Sequence, residues 1–364
     1  MVEWLAGNRI SGTSAERATG TGFPVTGISG GWKEVARTTL GSTTKPITVS
    51  SIPDKRYYMF MIDMQKSGNA TSQIRFGSGS TDTGTNYADR CSYDGAADGT
   101  RVSVSSIEIA TANAGVSDFM VGYISNLSTK EKYVQIHWAY NGSAGAGTSP
   151  SRAEKVGKWS NLSNPLDILE LYNSQSGNYL SGSEVVVLGC DEDDTHTDNF
   201  WEELASVDLS GGTSTSLSTG TFTAKKYLWV QIFSKKASAG GIQPSLKVGT
   251  GGTIATGSPY AFRWSNDGAA DPTPSVDLAM CPIAWLGANV HFSNTFIINN
   301  SANEKLFINH SVANVTAGEG TAPQRVESVG KFANTSGQIN IIDLYDWDSA
   351  SLGTETIMKV WGHD

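Results

Sequence analysis

The sequence predicts an all-β protein built as two tandem antiparallel β-sandwiches of jelly-roll type, and three observations carry that expectation. First, no segment sustains a 3.6-residue apolar period. Short aromatic and β-branched runs recur instead, divided by Gly, Asn, Asp and Ser clusters. Second, the composition is that of a folded chain with many turns. Of 364 residues 40 are Gly and only 17% are charged, yet there are 10 Trp, 12 Tyr and 12 Phe, which a disordered chain would lack. Third, the second half repeats the first. Tyr123-Ile-Ser-Asn-Leu-Ser-Thr-Lys-Glu-Lys132 matches Phe296-Ile-Ile-Asn-Asn-Ser-Ala-Asn-Glu-Lys305. The offset of 173 (305 against 132) also relates Tyr87 to Tyr260, Arg90 to Arg263, and Glu154 to Glu327 (327 against 154). A fixed register from residue 84 onward implies two copies of one domain.

Residues 1–22 lie outside the repeat and show neither period, so they read as an N-terminal arm able to order on a larger partner. The first sandwich is expected over 23–190, an acidic linker over 191–199 and the second sandwich over 200–364. The copies open at Trp32-Lys-Glu-Val-Ala and Trp201-Glu-Glu-Leu-Ala. The apolar runs 56–63 and 226–233 are too short for confident helices and read as central strands buried on both faces. Further strands in the first copy are expected at 73–76, 87–92, 101–109, 119–125, 132–140, 152–160, 167–172 and 184–188. The copies join directly near residue 190, so the first strand of each should lie beside its last. With no crossover helices, two packed sheets are the expected architecture.

A net charge of −9 argues against nucleic acid, which needs a basic face. No apolar run approaches the length of a membrane helix. The first residues have neither the basic head nor the apolar core of a secretory signal, so synthesis in a cytoplasm is expected. Cys91, Cys190 and Cys281 have no cysteine at the equivalent positions, so free thiols are expected rather than a copied disulfide framework.

Several duplicated motifs bear chemistry. Arg152-Ala-Glu154 and Arg325-Val-Glu327 place an Arg and a Glu on one strand face, and the reading is structural pairing rather than capture of a ligand carboxylate. The loops Asp94-Gly-Ala-Ala-Asp98 and Asp267-Gly-Ala-Ala-Asp271 offer carboxylates that could bind Ca²⁺, with Asp94, Asp98, Asp267 and Asp271 as the weak candidates; Asp-Gly is also an ordinary turn pair. The acidic stretch around His196 is denser in carboxylates and is a second cation candidate, although it reads first as a solvated linker. His137 and His310 are equivalent, but no duplicated nucleophile accompanies them, so no triad can be built. The glycine-rich stretch 142–147 lacks the Lys-Ser/Thr of a phosphate loop. No cofactor or resident metal is expected. Trp32 with Trp201, and Trp159 with Phe332, are duplicated and read as core; unduplicated Trp138, Trp264 and Trp347 are the candidates for stacking on a ligand.

The phrases Trp32-Lys-Glu-Val-Ala-Arg-Thr-Thr-Leu-Gly41, Ser51-Ile-Pro-Asp-Lys-Arg-Tyr-Tyr58, Asn199-Phe-Trp-Glu-Glu-Leu-Ala-Ser-Val-Asp-Leu209 and Gly318-Glu-Gly-Thr-Ala-Pro-Gln-Arg325 resemble a group of tandem-repeat proteins in marine viral sequences. The resemblance covers most of the chain and implies a virion exterior component, either a head decoration or a tail or fibre part. It brings no catalytic residues. The expectation is therefore a non-enzymatic, oligomeric virion protein docked through its arm to other virion proteins and contacting host glycans, with no nucleic-acid or membrane partner. A tandem carbohydrate-binding module and a glycan depolymerase are the alternatives; the latter needs two carboxylates about 5–10 Å apart in a groove.

Overall fold

The computed structural model describes residues 28–29, 31–68, 70–112, 117–191, 195–196, 199–238, 241–272, 274–284, 290–314 and 319–364. The arm over 1–22 lies outside these residues, as do most of the acidic linker and the side chain of His196.

The first half contains β1 (Ile28–Ser29), β2 (Lys33–Thr39), β3 (Ile47–Val49), β4 (Tyr57–Gln65), β5 (Ala70–Gly77), β6 (Tyr87–Tyr93), β7 (Gly99–Val104), β8 (Ile107–Ala112), β9 (Ser117–Ser125), β10 (Lys132–Tyr140), β11 (Ser151–Trp159), β12 (Ile168–Asn173) and β13 (Glu184–Cys190). The second half contains β14 (Thr195–His196), β15 (Glu202–Asp208), β16 (Ser216–Ser218), β17 (Tyr227–Lys235), β18 (Pro244–Thr250), β19 (Thr253–Ile254), β20 (Tyr260–Asn266), β21 (Ser275–Leu278), β22 (Cys281–Pro282), β23 (Val290–Ile298), β24 (Lys305–Asn314), β25 (Gln324–Phe332), β26 (Ile339–Asp346) and β27 (Ile357–His363). The fold is all-β, and the sheets are antiparallel.

In the first half a large sheet runs β2-β13-β4-β9-β10-β11-β6-β7 and faces a small sheet β3-β12-β5-β8. The first four strands of the large sheet and the four of the small one have jelly-roll order; the hairpins β10-β11 and β6-β7 widen one sheet. The second half repeats the order as β15-β27-β17-β23-β24-β25-β20-β21 over β16-β26-β18-β19, with β22 also pairing β18. In the large sheets β2 lies beside β13 and β15 beside β27, as the direct junction required, while the short β1 and β14 pair with each other.

Equivalent buried polar groups bind the two sheets of each sandwich. The Tyr87 hydroxyl donates to the Phe76 carbonyl at 3.0 Å and accepts from the Phe76 N–H at 2.9 Å; Tyr260 does the same at Val248, at 3.1 and 2.7 Å. Asn126 donates to the Lys55 carbonyl at 2.9 Å and accepts from the Leu166 N–H at 2.8 Å. Its twin Asn299 holds Lys225 and Ile339 at 2.8 and 2.6 Å. Each of these contacts satisfies backbone groups that burial would otherwise leave unpaired.

One expected strand divides. The run 101–109 is not continuous: β7 ends at Val104 in the large sheet and β8 starts at Ile107 in the small one. The chain changes layers over two residues, and Ser103 just before them has φ 52°, left-handed for a non-glycine. Continuous β propensity across the corner concealed the break.

Each sandwich has its own core, around Phe60, Ile74, Trp138 and Trp159 in the first half and Val230, Leu246, Tyr260 and Met358 in the second. A third apolar layer joins the halves. Met59, Met61, Phe119, Val121 and Leu188 from the first large sheet meet Trp201, Tyr227, Ile298, Leu306 and Ile308 from the second. The large sheets therefore pack back to back. This is why β4 is buried on alternate faces, Phe60 and Ile62 inward and Met59 and Met61 toward the partner half. Burying each large side chain of this layer contributes about 1.5–3 kcal/mol.

Candidate functional site: the cleft between the sandwiches

Where the hairpins β10-β11 and β24-β25 face each other, the halves diverge around a cleft of about 630 Å³. The duplicated motifs meet there. His137 on β10 and His310 on β24 touch edge to face, with ring centroids 4.0 Å apart. In the strand registers His137 lies opposite Glu154, and His310 lies opposite Glu327, so each imidazole arrives with its own glutamate.

Arg152 crosses the junction. Its Nε donates to both carboxylate oxygens of Asp271, at 3.1 and 3.0 Å, and its Nη2 to Oδ1 at 2.6 Å. Its Nη1 bonds Glu154 and lies 3.6 Å from Glu327. The side chain is only 2% exposed. Reciprocally, Arg263 of the second half approaches Asp94 of the first at 3.3 Å and donates to the Pro150 carbonyl at 3.2 Å.

Both Asp-Gly pairs make the turns that present these groups. Asp94 and Gly95 have φ of 48° and 72°, and Asp267 and Gly268 have 53° and 75°, the paired left-handed geometry of a tight hairpin turn. Asp94 Oδ1 also accepts the Arg152 N–H at 2.9 Å, and Asp267 Oδ1 the Arg325 N–H at 2.8 Å. Gly95 is needed for close approach as well, because a Cβ there would sit 2.5 Å from the Asp271 backbone nitrogen.

The electrostatics follow from burial. Desolvation pushes the Glu154 carboxyl up to about 7, with Glu327 raising it further and Arg152 pulling it down. Burial holds His137 well below the usual imidazole value, and His310 and Arg152 lower it further. His310 is lowered by burial too, against the pull of Glu327. Burial works against the Arg152 charge, but Asp271 and Glu154 outweigh it and raise its pKa.

Two further polar clusters flank the junction. Lys226 lies 3.2 Å from Asp63 and 3.1 Å from Glu184, and the Tyr227 hydroxyl donates to Glu184 at 2.7 Å. Burial raises the Asp63 carboxyl against the pull of Lys226. Elsewhere Lys331 donates to Asn141 Oδ1 at 2.9 Å and lies 3.5 Å from Glu304, which accepts the Gly145 N–H. The glycine-rich stretch 142–147 is thus packed on the second half.

The sequence candidates separate clearly. Trp138 is corrected: it is 1% exposed in the first core and stacks on Tyr140 at 4.3 Å, so no ligand reaches it. Its parity explains why, since His137 faces the partner half and the next residue must face inward. Trp264 packs partly buried against the second core, and Trp347 is half-buried in a turn after β26. The four aspartates offered as weak calcium candidates all have other partners. Asp94 and Asp271 serve Arg152 and Arg263, Asp267 caps a backbone N–H, and Asp98 pairs with Arg90 at 3.4 Å. No group of three or more potential metal ligands occurs among the described residues. Between Glu154 and Glu327 the guanidinium of Arg152 already occupies the place of a cation. Asp63, Glu184, Lys226, Glu304 and Lys331 escaped the sequence reading because part of each cluster comes from the other half: Lys226 reaches Asp63 and Glu184, and Asn141 and Gly145 reach Lys331 and Glu304.

No protein-family model and no curated protein matches the chain. Among solved structures, the LG1-3 region of the laminin alpha2 chain aligns with 88% of this chain and 68% of its own at 7% identity and a TM-score of 0.20. The P. putida toluene transporter TodX aligns with 86% and 91% at 9% identity and a TM-score of 0.09. At these values neither match implies a shared fold or function.

Proposed function

We propose that this protein is a non-enzymatic structural component displayed on the exterior of a virion, as a capsid decoration or a tail or fibre part, where it contacts host glycans. The observation that carries this reading is the junction itself. Its buried ionisable groups are tied to one another across the two halves, beside a shared apolar layer of the kind that holds domains together. Arg152 engages Asp271 and Glu154 instead of leaving a carboxylate pair open to a substrate. Jelly rolls are also an architecture of viral capsid and lectin domains, and the resemblance of the four quoted phrases points the same way. In this reading the arm over 1–22 docks to other virion proteins, and particles lacking it fail to incorporate the chain.

Gold-labelled antibody against the protein on intact particles tests the assignment. Label over heads means a capsid decoration, and label at one pole a tail or fibre part. Particles without label would overturn the virion assignment.

A further inference from the structure

The two Arg-x-Glu motifs are equivalent in sequence but not in what they hold. Arg152 clamps the Asp271 carboxylate with Nε and Nη2. Its twin Arg325 is 59% exposed in the cleft, with one carboxylate contact, from Nη1 to Glu327 at 2.9 Å. The residue equivalent to Asp271 is Asp98, and it is turned to the exposed Arg90 instead. Nη2 of Arg325 lies over Gly268, where a Cβ would be only 2.7 Å away. Among the described residues, then, the Nε and Nη2 edge of Arg325 has no carboxylate, although the same edge of its twin is filled by one.

We propose that the cleft binds a carboxylate-bearing saccharide such as a uronic acid, whose carboxylate sits on Arg325 as that of Asp271 sits on Arg152. The volume, about 630 Å³, is that of a small-ligand site. The lining holds both acceptors and donors that suit ring hydroxyls, with Glu327 bonded to Arg325 and the exposed amide of Gln135 on the wall from the first half. Val156, 49% exposed, offers an apolar contact for a ring face. Among the described residues no Trp, Tyr or Phe lines the cleft, so a neutral sugar lacks a broad stacking platform and affinity depends on the carboxylate.

This gives the glycan contact of the proposed function a location, and it can be tested apart from it. Ligand-observed NMR titration of the full chain with glucuronate and with glucose, at matched ionic strength, should show glucuronate binding about tenfold or more tighter. Arg325→Gln should weaken glucuronate about tenfold and leave the melting temperature unchanged. Equal binding of both sugars, no binding of glucuronate, or an unaffected Arg325→Gln variant would each overturn the assignment. Selective binding of an acidic dipeptide over glucuronate would overturn it in favour of a peptide ligand. Glucuronate binding in solution together with unlabelled particles would leave the cleft intact and remove only the virion reading.

Discussion

Arg152 and Arg325 share a motif, a strand position and a neighbouring glutamate, yet one is buried across the junction and the other faces solvent. A second pair of equivalent sites differs in the opposite sense, within the sheets. Phe60 lies opposite Gly122 in the first half, and Val230 opposite Thr295 in the second. A large residue beside none has become two of middle size, with the cross-strand space kept filled. In the cores, difference between the halves is compensated locally. At the junction it is not, because the two halves compete for one place.

The largest test of that contrast is Arg152→Ala against Arg325→Ala. Removing Arg152 leaves buried Asp271 with only Arg263, 3.9 Å away, and half-buried Glu154 without its cation, and urea unfolding should show a loss of about 3–5 kcal/mol. Removing the exposed twin should change stability by no more than about 0.5 kcal/mol. Equal losses would end the distinction.

The compensated pair gives the next effect. A Cβ on Gly122 would lie 2.1 Å from the Phe60 ring, so Gly122→Thr should cost about 1–3 kcal/mol or more. Combining it with Phe60→Val should restore much of that loss, a coupling measurable in a double-mutant cycle. Additive losses would mean that the halves are not interchangeable at this position.

A smaller effect tests the electrostatics. The Glu154 carboxyl rises from its ordinary 4.5 to about 7 on folding. The folded chain keeps a proton that the unfolded chain loses, so this contribution is full below about 4.5, declines as pH rises to about 7, and is flat above. Wild type should lose about 1–2 kcal/mol relative to Glu154→Gln between pH 5 and pH 8. The lowered histidines act oppositely, losing stability as pH falls through and below 6.5, but they are common to both proteins and cancel in the difference. A pH-independent difference would place Glu154 in a more solvated setting.

Much of the fold was legible in the sequence, because strand period and turn residues are local and the repeat fixed the correspondence of strands. The members of the cleft were legible too: the Asp-Gly loops, the Arg-x-Glu strands and the two histidines all stood out as duplicated. Their convergence was not, since no local rule says which face of one sandwich meets the other. One signal did point there. A lone sandwich leaves the outer face of each sheet polar, whereas Tyr57–Gln65 alternates apolar residues on both faces, which calls for a third layer. Trp138 illustrates a related point: its lack of an aromatic twin is visible locally, but its inward orientation follows only from its parity with His137 at the junction.

The meeting of His137 with His310 has a consequence for assembly. Where equivalent strands face each other, any residue on the axis must satisfy both orientations at once, and a single guanidinium cannot. A homodimer of identical single sandwiches would bring two arginines to one position and settle into two equally populated, mutually exclusive arrangements. Joining the sandwiches in one chain lifts that degeneracy, so one arginine becomes a fastener and the other is released to a different task.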